Sequence, residues 1–227
     1  MSRFLGVLTI GQAPRPDGLA RDVAAVVGPG LTVVERGALD GLSRDDIAAL
    51  RPDPGDYHLV TMLADGTPVQ LRKPAILERL QARIAELERA GVAGTLLLCT
   101  GAFPAFHHDR PLLLPQGALY GAAIGVAGGG RVGALVPLAA QLPQARDKWR
   151  ALGVADPALA VANPYDQDAA RRVAEAAAEA REAGAAVLFM DCFGYDLGMR
   201  DAARAAFGGP VLLARSLAAR LMAEVLA

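Results

Sequence analysis

The sequence predicts an α/β protein of two lobes, each with a roughly four-stranded parallel sheet flanked by helices. Short apolar runs alternate with segments of helical periodicity through all 227 residues, a pattern typical of parallel strands joined by helices. Two similar segments, each a charged helix followed by glycine and an apolar run, end at Cys99 and Cys192. The glycine cluster at 128–130 divides eight strand–helix units into two sets of four. Closure into one barrel is the alternative, but the chain is at the lower size limit for that fold.

The elements of the first half follow from apolar runs of strand length, each bounded by glycine, proline or charge and followed by a helical stretch. The expected strands are 4–10, 31–36, 57–63 and 94–99, and the expected helices are 16–27, 44–50, 73–90 and 116–126. Ser43, with Asp46 three residues later, predicts the start of the second helix. Asp65-Gly66 between apolar flanks predicts a hairpin turn and a short β excursion after the third strand.

The second half repeats this alternation. The expected strands are 131–137, 159–162, 186–192 and 211–214, and the expected helices are 142–152, 167–183, 198–207 and 217–226. Asp166 and Ser216 are candidate N-caps for the second and fourth of these helices.

Composition excludes several classes of protein. The net charge is -1, with basic residues scattered along the chain, so nucleic acid is not an expected partner. Apolar runs are interrupted well before the roughly 18 residues that a membrane span needs. The first residues pass directly into a strand pattern without a cleavage signal, which predicts a cytoplasmic protein. In that reducing compartment the two cysteines are expected to be thiols.

The cysteine pair is the leading candidate for chemistry. Each cysteine is placed where a buried parallel strand runs out into a loop, and ligands of open α/β sheets bind beyond such strand ends. Ordinary cysteine thiols have a pKa of about 8.5, so a modest shift creates a base near neutral pH. Gly101 and Gly194 follow two residues after the cysteines and allow backbone N–H groups to approach a ligand. The alternative is a pair of buried structural cysteines.

Two other loops carry candidate binding residues. The loop after the first strand offers Thr9, Gln12 and Arg15, and a guanidinium matches a carboxylate in shape and charge; the alternative is a proline-shaped turn with Arg15 in solvent. Asn163 begins a second loop that could bind an anion or simply form an Asn-Pro turn. Asp191 is expected to point away from Cys192 and to orient its loop. The pair His107 and His108 lacks a third metal ligand at suitable spacing, so a solvated loop is expected there.

Several motifs together resemble the AroM family. They are TIGQAPRPD at 9–17, CTG at 99–101, DCFG at 191–194, PVLLA at 210–214 and LAARL at 217–221. The AroM family resembles the aspartate/glutamate racemase superfamily, and this resemblance implies two pseudosymmetric α/β lobes with the active site in a cleft between them. The approximate lobe boundaries are 1–128 plus 208–227 for the first lobe and 129–207 for the second.

The resemblance also implies roles. Cys99 and Cys192 match the two superfamily cysteines, which act as opposed acid and base without pyridoxal phosphate or metal, so no cofactor is expected. The implied function is a cofactor-independent racemase or isomerase acting on a small carboxylate, and by the same analogy a homodimer is expected. A decarboxylase or cis-trans isomerase with one key cysteine, and a non-catalytic binding protein, are the alternatives. The expected substrate-binding residues are Thr9, Gln12, Arg15, Thr100, Gly101, Asn163, Phe193 and Gly194.

The chain departs from the amino-acid racemases beside both cysteines. Those enzymes have Asn-Thr after the first cysteine and Thr-His after the second, where this chain has Thr100-Gly101 and Phe193-Gly194. Fewer polar groups are therefore present to recognise an α-amino group.

Overall fold

The computed structural model describes residues 3–227 and forms two compact units, the first consisting of the described residues up to Pro115 with Ala218–Ala227 and the second of Gln116–Leu217. The first unit contains a four-stranded parallel sheet in the order β2-β1-β5-β6. Its elements are β1 (Arg3–Thr9), α1 (Leu19–Val27), β2 (Leu31–Gly37), α2 (Arg44–Ala48), β3 (His58–Met62), β4 (Pro68–Arg72), a 3₁₀ turn (Lys73–Ile76), α3 (Leu77–Arg89), β5 (Gly94–Leu97) and β6 (Leu112–Leu113).

The second unit contains a parallel sheet in the order β10-β9-β7-β8. Its elements are α4 (Pro115–Ala127), β7 (Arg131–Val136), a 3₁₀ turn (Ala139–Gln141), α5 (Leu142–Ala151), β8 (Ala158–Val161), α6 (Ala169–Glu182), β9 (Ala185–Met190), α7 (Leu197–Phe207), β10 (Val211–Leu213) and α8 (Ala214–Val225). When the strands are counted in chain order within each four-stranded sheet, both sheets have the order 2-1-3-4. The two halves therefore share one topology, and the predicted α/β fold of two four-stranded parallel sheets is confirmed.

The first sheet differs from the prediction in its choice of strands. The third predicted strand does not enter it, because β3 pairs with β4 in an antiparallel hairpin through the Asp65-Gly66 turn. The edge strand next to β5 is instead β6, which has two residues and pairs with β5. A strand of two residues is too short to show a periodic pattern.

The unit boundaries lie at 115/116 and 217/218, whereas the sequence-based division placed them near 128 and 208. Strand pairing accounts for the second of these boundaries, since β10 joins β9 in the second sheet. Helix α8 then begins in the second unit and continues into the first.

The core of the first unit joins the hairpin and α3 to the sheet. Buried side chains of β1 and β5, the hairpin and α3 form one apolar cluster, against which the partly buried Cys99 packs. In the second unit Tyr120 stacks on Trp149 at 4.2 Å between ring centroids, and Phe189 meets both rings edge-on. Among residues 3–227, no helix combines the length and apolar character needed to cross a membrane.

Gly11 is required by the close approach of the loop after β1 to the hairpin. A Cβ at this position would lie 2.2 Å from the backbone oxygen of Met62 and 2.5 Å from Oγ1 of Thr61. We expect Gly11→Ala to lower the free energy of unfolding by about 1–3 kcal/mol, the usual cost of overpacking, in urea denaturation.

Gly121 provides the control for this prediction. It lies in α4, where an added Cβ meets nothing within 4 Å, so Gly121→Ala should leave stability unchanged or raise it by about 0.5–1 kcal/mol. Equal effects of the two substitutions would contradict the packing argument.

Candidate functional site

Cys99 begins the loop that follows β5. The N–H of Leu98 still donates to the carbonyl of Leu8 at 2.8 Å, so sheet pairing ends immediately before the cysteine. The N–H of Gly101 then donates to Cys99 Sγ at 3.4 Å. A Cβ at Gly101 would lie 3.0 Å from the ring of Phe103 and 3.1 Å from Leu59. Glycine therefore allows the backbone to fold closely over the sulfur.

Two residues from the hairpin region anchor the Cys99 loop. The hydroxyl of Tyr57 accepts from the N–H of Ala102 at 3.2 Å, and Nζ of Lys73 donates to the carbonyl of Ala102 at 3.0 Å. Lys73 also lies over the Tyr57 ring, 4.4 Å from its centroid. Sequence reasoning assigned neither residue to the site, because nothing in their local pattern relates them to position 102.

Cys192 occupies the same place in the second unit. It follows β9, and the N–H of Gly194 donates to its Sγ at 3.3 Å. The side chain is buried, whereas that of Cys99 is only partly buried, and both are thiols rather than disulfide sulfurs. Each half thus presents a cysteine at the carboxyl end of its third strand, with a glycine N–H on the sulfur.

Arg215, in the first turn of α8, holds the Cys192 loop. Its guanidinium is buried, and Nε and Nη2 donate to the carbonyl of Phe193 at 3.1 Å and 2.9 Å. Nη2 also lies 3.4 Å from the carbonyl of Gly194. No local pattern predicts this contact, since a single arginine after a strand has no distinguishing feature.

The loop after β8 packs against the Cys192 loop. A Cβ at Gly194 would lie 2.7 Å from the hydroxyl of Tyr165, and the hydroxyl of Tyr195 donates to the carbonyl of Ala162 at 2.6 Å. Burial, together with the nearby charges of Cys192, Asp191 and Tyr165, raises the pKa of Tyr195 well above its ordinary value, so this phenol stays neutral.

Asn163 shapes its own loop. Its Nδ2 donates to Asp166 Oδ1 at 2.9 Å, and its Oδ1 accepts from the N–H of Tyr165 at 3.1 Å. Asn163 also lines a shallow pocket of about 170 Å³, which lies between α6 and the carboxyl ends of β7 and β8. The predicted residues Asn163, Cys192, Phe193 and Gly194 are therefore brought together on two packed loops.

The three candidate side chains of the loop after β1 make contacts within the first unit. Thr9 Oγ1 accepts from the N–H of Gly11 at 3.2 Å, and Gln12 Oε1 accepts from the N–H of Ala64 at 3.1 Å. Arg15 is buried and forms a two-point ion pair with Asp17, at 3.2 Å from Nε and 2.5 Å from Nη2. This loop lies next to the Cys99 loop because β1 and β5 are paired.

Asp40 fastens the loop after β1 to the loop after β2. Its carboxylate accepts from the N–H of Ala13 at 2.8 Å and from the N–H of Gly37 at 2.7 Å. Its own carbonyl accepts from Arg79 and Arg83 on α3. The position of Arg15 and its neighbours is thus set from a residue that the sequence did not single out.

Asp191 lies within a buried network of the second unit. Its side chain is 1% exposed and forms an ion pair with Lys148 of α5 at 3.1 Å, and it accepts a hydrogen bond from the hydroxyl of Tyr120. Lys148 also lies 5.0 Å from the centroid of the Tyr120 ring. These contacts hold the residue directly before Cys192.

The predicted solvated histidine loop is exposed at both His107 and His108. His108 Nδ1 lies 2.9 Å from the carbonyl of Arg110. Within residues 3–227, no group of three or more His, Cys, Asp or Glu side chains is arranged to hold a metal ion.

The repeated α/β arrangement is that of racemase-like proteins. The allantoin racemase from Pseudomonas fluorescens has a TM-score of 0.62 at 17% identity, with 98% of this chain and 90% of that chain covered. The aspartate racemase of Picrophilus torridus has a TM-score of 0.61 at 12% identity, with 98% of this chain and 95% of that chain covered. Arylmalonate decarboxylase has a TM-score of 0.62 at 16% identity, with 98% of this chain and 91% of that chain covered. At these identities the similarity establishes the fold.

Sequence comparison gives the family. The model described as AroM protein matches residues 5–226, and the chain therefore belongs to the AroM family. No curated protein sequence matches the chain.

Glu35 lies beneath the loop after β1 and leads to a prediction on stability and pH. Burial raises its pKa from the ordinary 4.5, partly offset by a hydrogen bond from the Arg15 backbone. The folded protein then holds this proton more tightly than the unfolded chain, so ionised Glu35 lowers stability once the pH exceeds its pKa values. We expect Glu35→Gln to raise the urea midpoint at pH 7, with no gain at pH values below about 4.

Glu86→Gln is the matched control of opposite sign. A hydrogen bond from Arg83 lowers the pKa of Glu86 below its ordinary 4.5. Its contribution to stability is therefore present at pH 7 and disappears as the pH falls through the folded-state pKa. Glu86→Gln should lower the urea midpoint at pH 7, and shifts of the same sign in both variants would refute the assignment.

The Lys148–Asp191 ion pair leads to a second prediction. Lys148→Met leaves the Asp191 carboxylate without its cation, and we expect a loss of about 2–3 kcal/mol in the free energy of unfolding. The expected loss of unfolding free energy is smaller than for a fully buried ion pair because the Lys148 side chain keeps 11% exposure.

A double-mutant cycle separates the ion pair from general packing. Lys148→Met combined with Asp191→Asn should cost less than the sum of the two single changes. Arg171→Met, which removes two ion pairs whose side chains are more than half exposed, should leave the urea midpoint nearly unchanged. Strict additivity at positions 148 and 191 would show that the ion pair contributes nothing specific.

Proposed function

We propose that this protein is a cofactor-independent racemase or isomerase that transfers a proton at a carbon next to a carboxylate, using Cys99 and Cys192 as acid and base. The observation that carries the proposal is the repeated sulfur geometry. In both halves a cysteine lies two residues beyond the third strand of the sheet, and the glycine two residues later donates its N–H to the sulfur, at 3.4 Å and 3.3 Å.

The repeated hydrogen bond matters because the thiolate is the reactive form of cysteine. A donor on the sulfur favours the charged form over the neutral one. A proton next to a carboxylate is very weakly acidic, so its removal needs a base held in place and fixed donors for the developing negative charge. The glycine N–H on each sulfur meets the first of these needs, because it holds the base in place.

The proposed reaction uses one thiolate and one thiol. The thiolate takes the proton from carbon and becomes a thiol, which leaves a carbanion stabilised as the enolate of the carboxylate. The opposite thiol then gives its proton to the other face of the carbon and becomes a thiolate. The product is inverted, the two cysteines have exchanged protonation states, and the next turnover runs in the reverse sense. The proposal therefore requires both sulfurs to reach opposite faces of one carbon atom.

Within this proposal the predicted binding residues divide into two groups. Thr100 and the Nε2 group of Gln12 contact the substrate carboxylate, while Gly101 and Gly194 let the backbone turn over the sulfurs and keep their N–H groups on Sγ. Thr9 and Arg15 hold the loop in shape, since the Thr9 hydroxyl accepts from Gly11 and Arg15 is paired with Asp17. Asn163 and Phe193 shape the wall beside Cys192.

A decarboxylase is the second candidate. The fold is shared with arylmalonate decarboxylase, and the two cysteines are unequally buried. A reaction that uses one cysteine as proton donor after loss of carbon dioxide needs only one accessible sulfur. Such an enzyme would depend mainly on one of the two cysteines, whereas a two-base racemase depends on both.

The test is proton exchange in D₂O with a panel of amino acids, hydroxy acids, hydantoins and dicarboxylates, followed by NMR and chiral chromatography. We expect α-deuteration with racemisation of one compound class. Cys99→Ser and Cys192→Ser should each lower the racemisation rate by at least about 10²-fold, the usual contribution of a positioned acid or base. Circular dichroism checks that each variant is folded, and each serves as a control for the other.

Three results would overturn the proposal. Release of carbon dioxide from a malonate, lost with one cysteine only, would identify a decarboxylase. Saturable binding of a carboxylate without exchange, unaffected by either substitution, would identify a binding protein. No exchange with any compound, from protein whose thiols are shown to be reduced, would rule out the racemase.

A further inference from the structure

Arg215 is a buried cation directed at the backbone of the Cys192 loop. It is 1% exposed, and burying a guanidinium is costly unless its donors are satisfied. Two of its nitrogens converge on the carbonyl oxygen of Phe193, at 3.1 Å and 2.9 Å. This arrangement places a buried positive charge against the oxygen of the Phe193–Gly194 peptide group.

That peptide group is also the one that contacts the sulfur. The carbonyl of Phe193 and the N–H of Gly194 belong to the same amide plane, and the N–H donates to Cys192 Sγ at 3.3 Å. A cation on the oxygen of an amide withdraws electron density and strengthens the N–H as a donor, and hydrogen bonds in such chains reinforce one another. We propose that Arg215 is a positioning residue that orients and polarises the Phe193–Gly194 peptide, and so holds Cys192 in the thiolate form.

The Cys99 loop is anchored differently. Its cation, Lys73, donates to the carbonyl of Ala102, which is two peptide groups beyond the one that contacts Cys99 Sγ through Gly101. Lys73 therefore fixes the loop without acting on the peptide that touches the sulfur. Both halves have the hydrogen bond from a glycine N–H to sulfur, but only in the second half does a cation contact the peptide group that makes this bond.

This difference assigns roles in the resting protein. Cys192 carries the thiolate and takes the first proton, and Cys99 carries the thiol and gives one. The direction of transfer rests on the proposed function. The effect of Arg215 on the reactivity of Cys192 does not, because it exists without a substrate.

The ionisable groups that face Cys192 include others that act on it. Asp191 precedes it and is paired with Lys148. The phenols of Tyr165 and Tyr195 lie beside the loop. Arg215 contacts the oxygen of the peptide between Phe193 and Gly194, and the other groups are retained when Arg215 alone is changed.

The experiment measures the alkylation rate of each cysteine with iodoacetamide, resolved by mass spectrometry, in the full-length protein without substrate. At pH 7 we expect Arg215→Met to lower the rate at Cys192 about tenfold, which corresponds to a pH profile displaced upward by about one unit. The rate at Cys99 in the same molecule should be unchanged. Arg215→Lys, which keeps the charge but not the two-nitrogen contact, should give an intermediate rate.

Two controls keep the result interpretable. Arg220→Met removes an exposed arginine from the same helix and should leave both rates unchanged. In an Arg215→Ala variant, added guanidinium ions should restore part of the Cys192 rate, which a purely structural role of Arg215 does not predict. If Arg215→Met fails to fold, Arg215→Lys alone should still lower the rate at Cys192.

A second measurement covers the case of slow alkylation at the buried thiol. The ultraviolet absorbance of the thiolate, followed against pH in a Cys99→Ser background, should show the thiolate of Cys192 forming at higher pH when Arg215 is replaced. An unchanged profile, or equal changes of rate at both cysteines, would overturn the proposal. Failure to find any racemisation substrate would leave this outcome unaffected and would count against the proposed function alone.

Discussion

The hydrogen bond from a glycine N–H to the sulfur two residues earlier is the contact on which both candidate half-sites depend. It requires the strand to end before the cysteine, as β5 and β9 do two residues earlier, so that the backbone can turn over the sulfur. It also requires glycine, because a Cβ at Gly101 or Gly194 would crowd Leu59 in one half and Tyr165 in the other. The parallel sheets supply the first requirement and the sequence supplies the second.

Different residues anchor the two cysteine loops. The Cys99 loop is tied to Tyr57 and Lys73, which come from the hairpin and the 3₁₀ turn after it. The Cys192 loop is tied to Arg215 from the helix after the last strand. The repeated fold thus keeps the place of the sulfur while the groups around it differ, and in our proposal this difference gives two chemically identical groups different roles.

Local sequence signals predicted much of the fold. Alternating apolar and helical segments predicted the parallel α/β class, and the Asp65-Gly66 turn predicted the hairpin. Ser43 and Asp46 form a capping box at the predicted start of α2. The errors arose where tertiary pairing overrides local pattern. The two-residue strand β6 has no period to detect, and only pairing partners place β3 outside the first sheet and β10 inside the second.

The sequence by itself determined the class of fold and the placement of Cys99 and Cys192 at strand ends with glycine two residues beyond, because these depend on residues close together in the chain. The tertiary structure alone decided which groups act on those loops. Arg215 reaches Phe193 across 22 positions, and Asp40 reaches Ala13 across 27. Arg15, a predicted binding residue, is paired with Asp17 in a buried setting that only packing creates. Contacts between distant residues depend on how the sheet brings loops together, and no local periodicity encodes them.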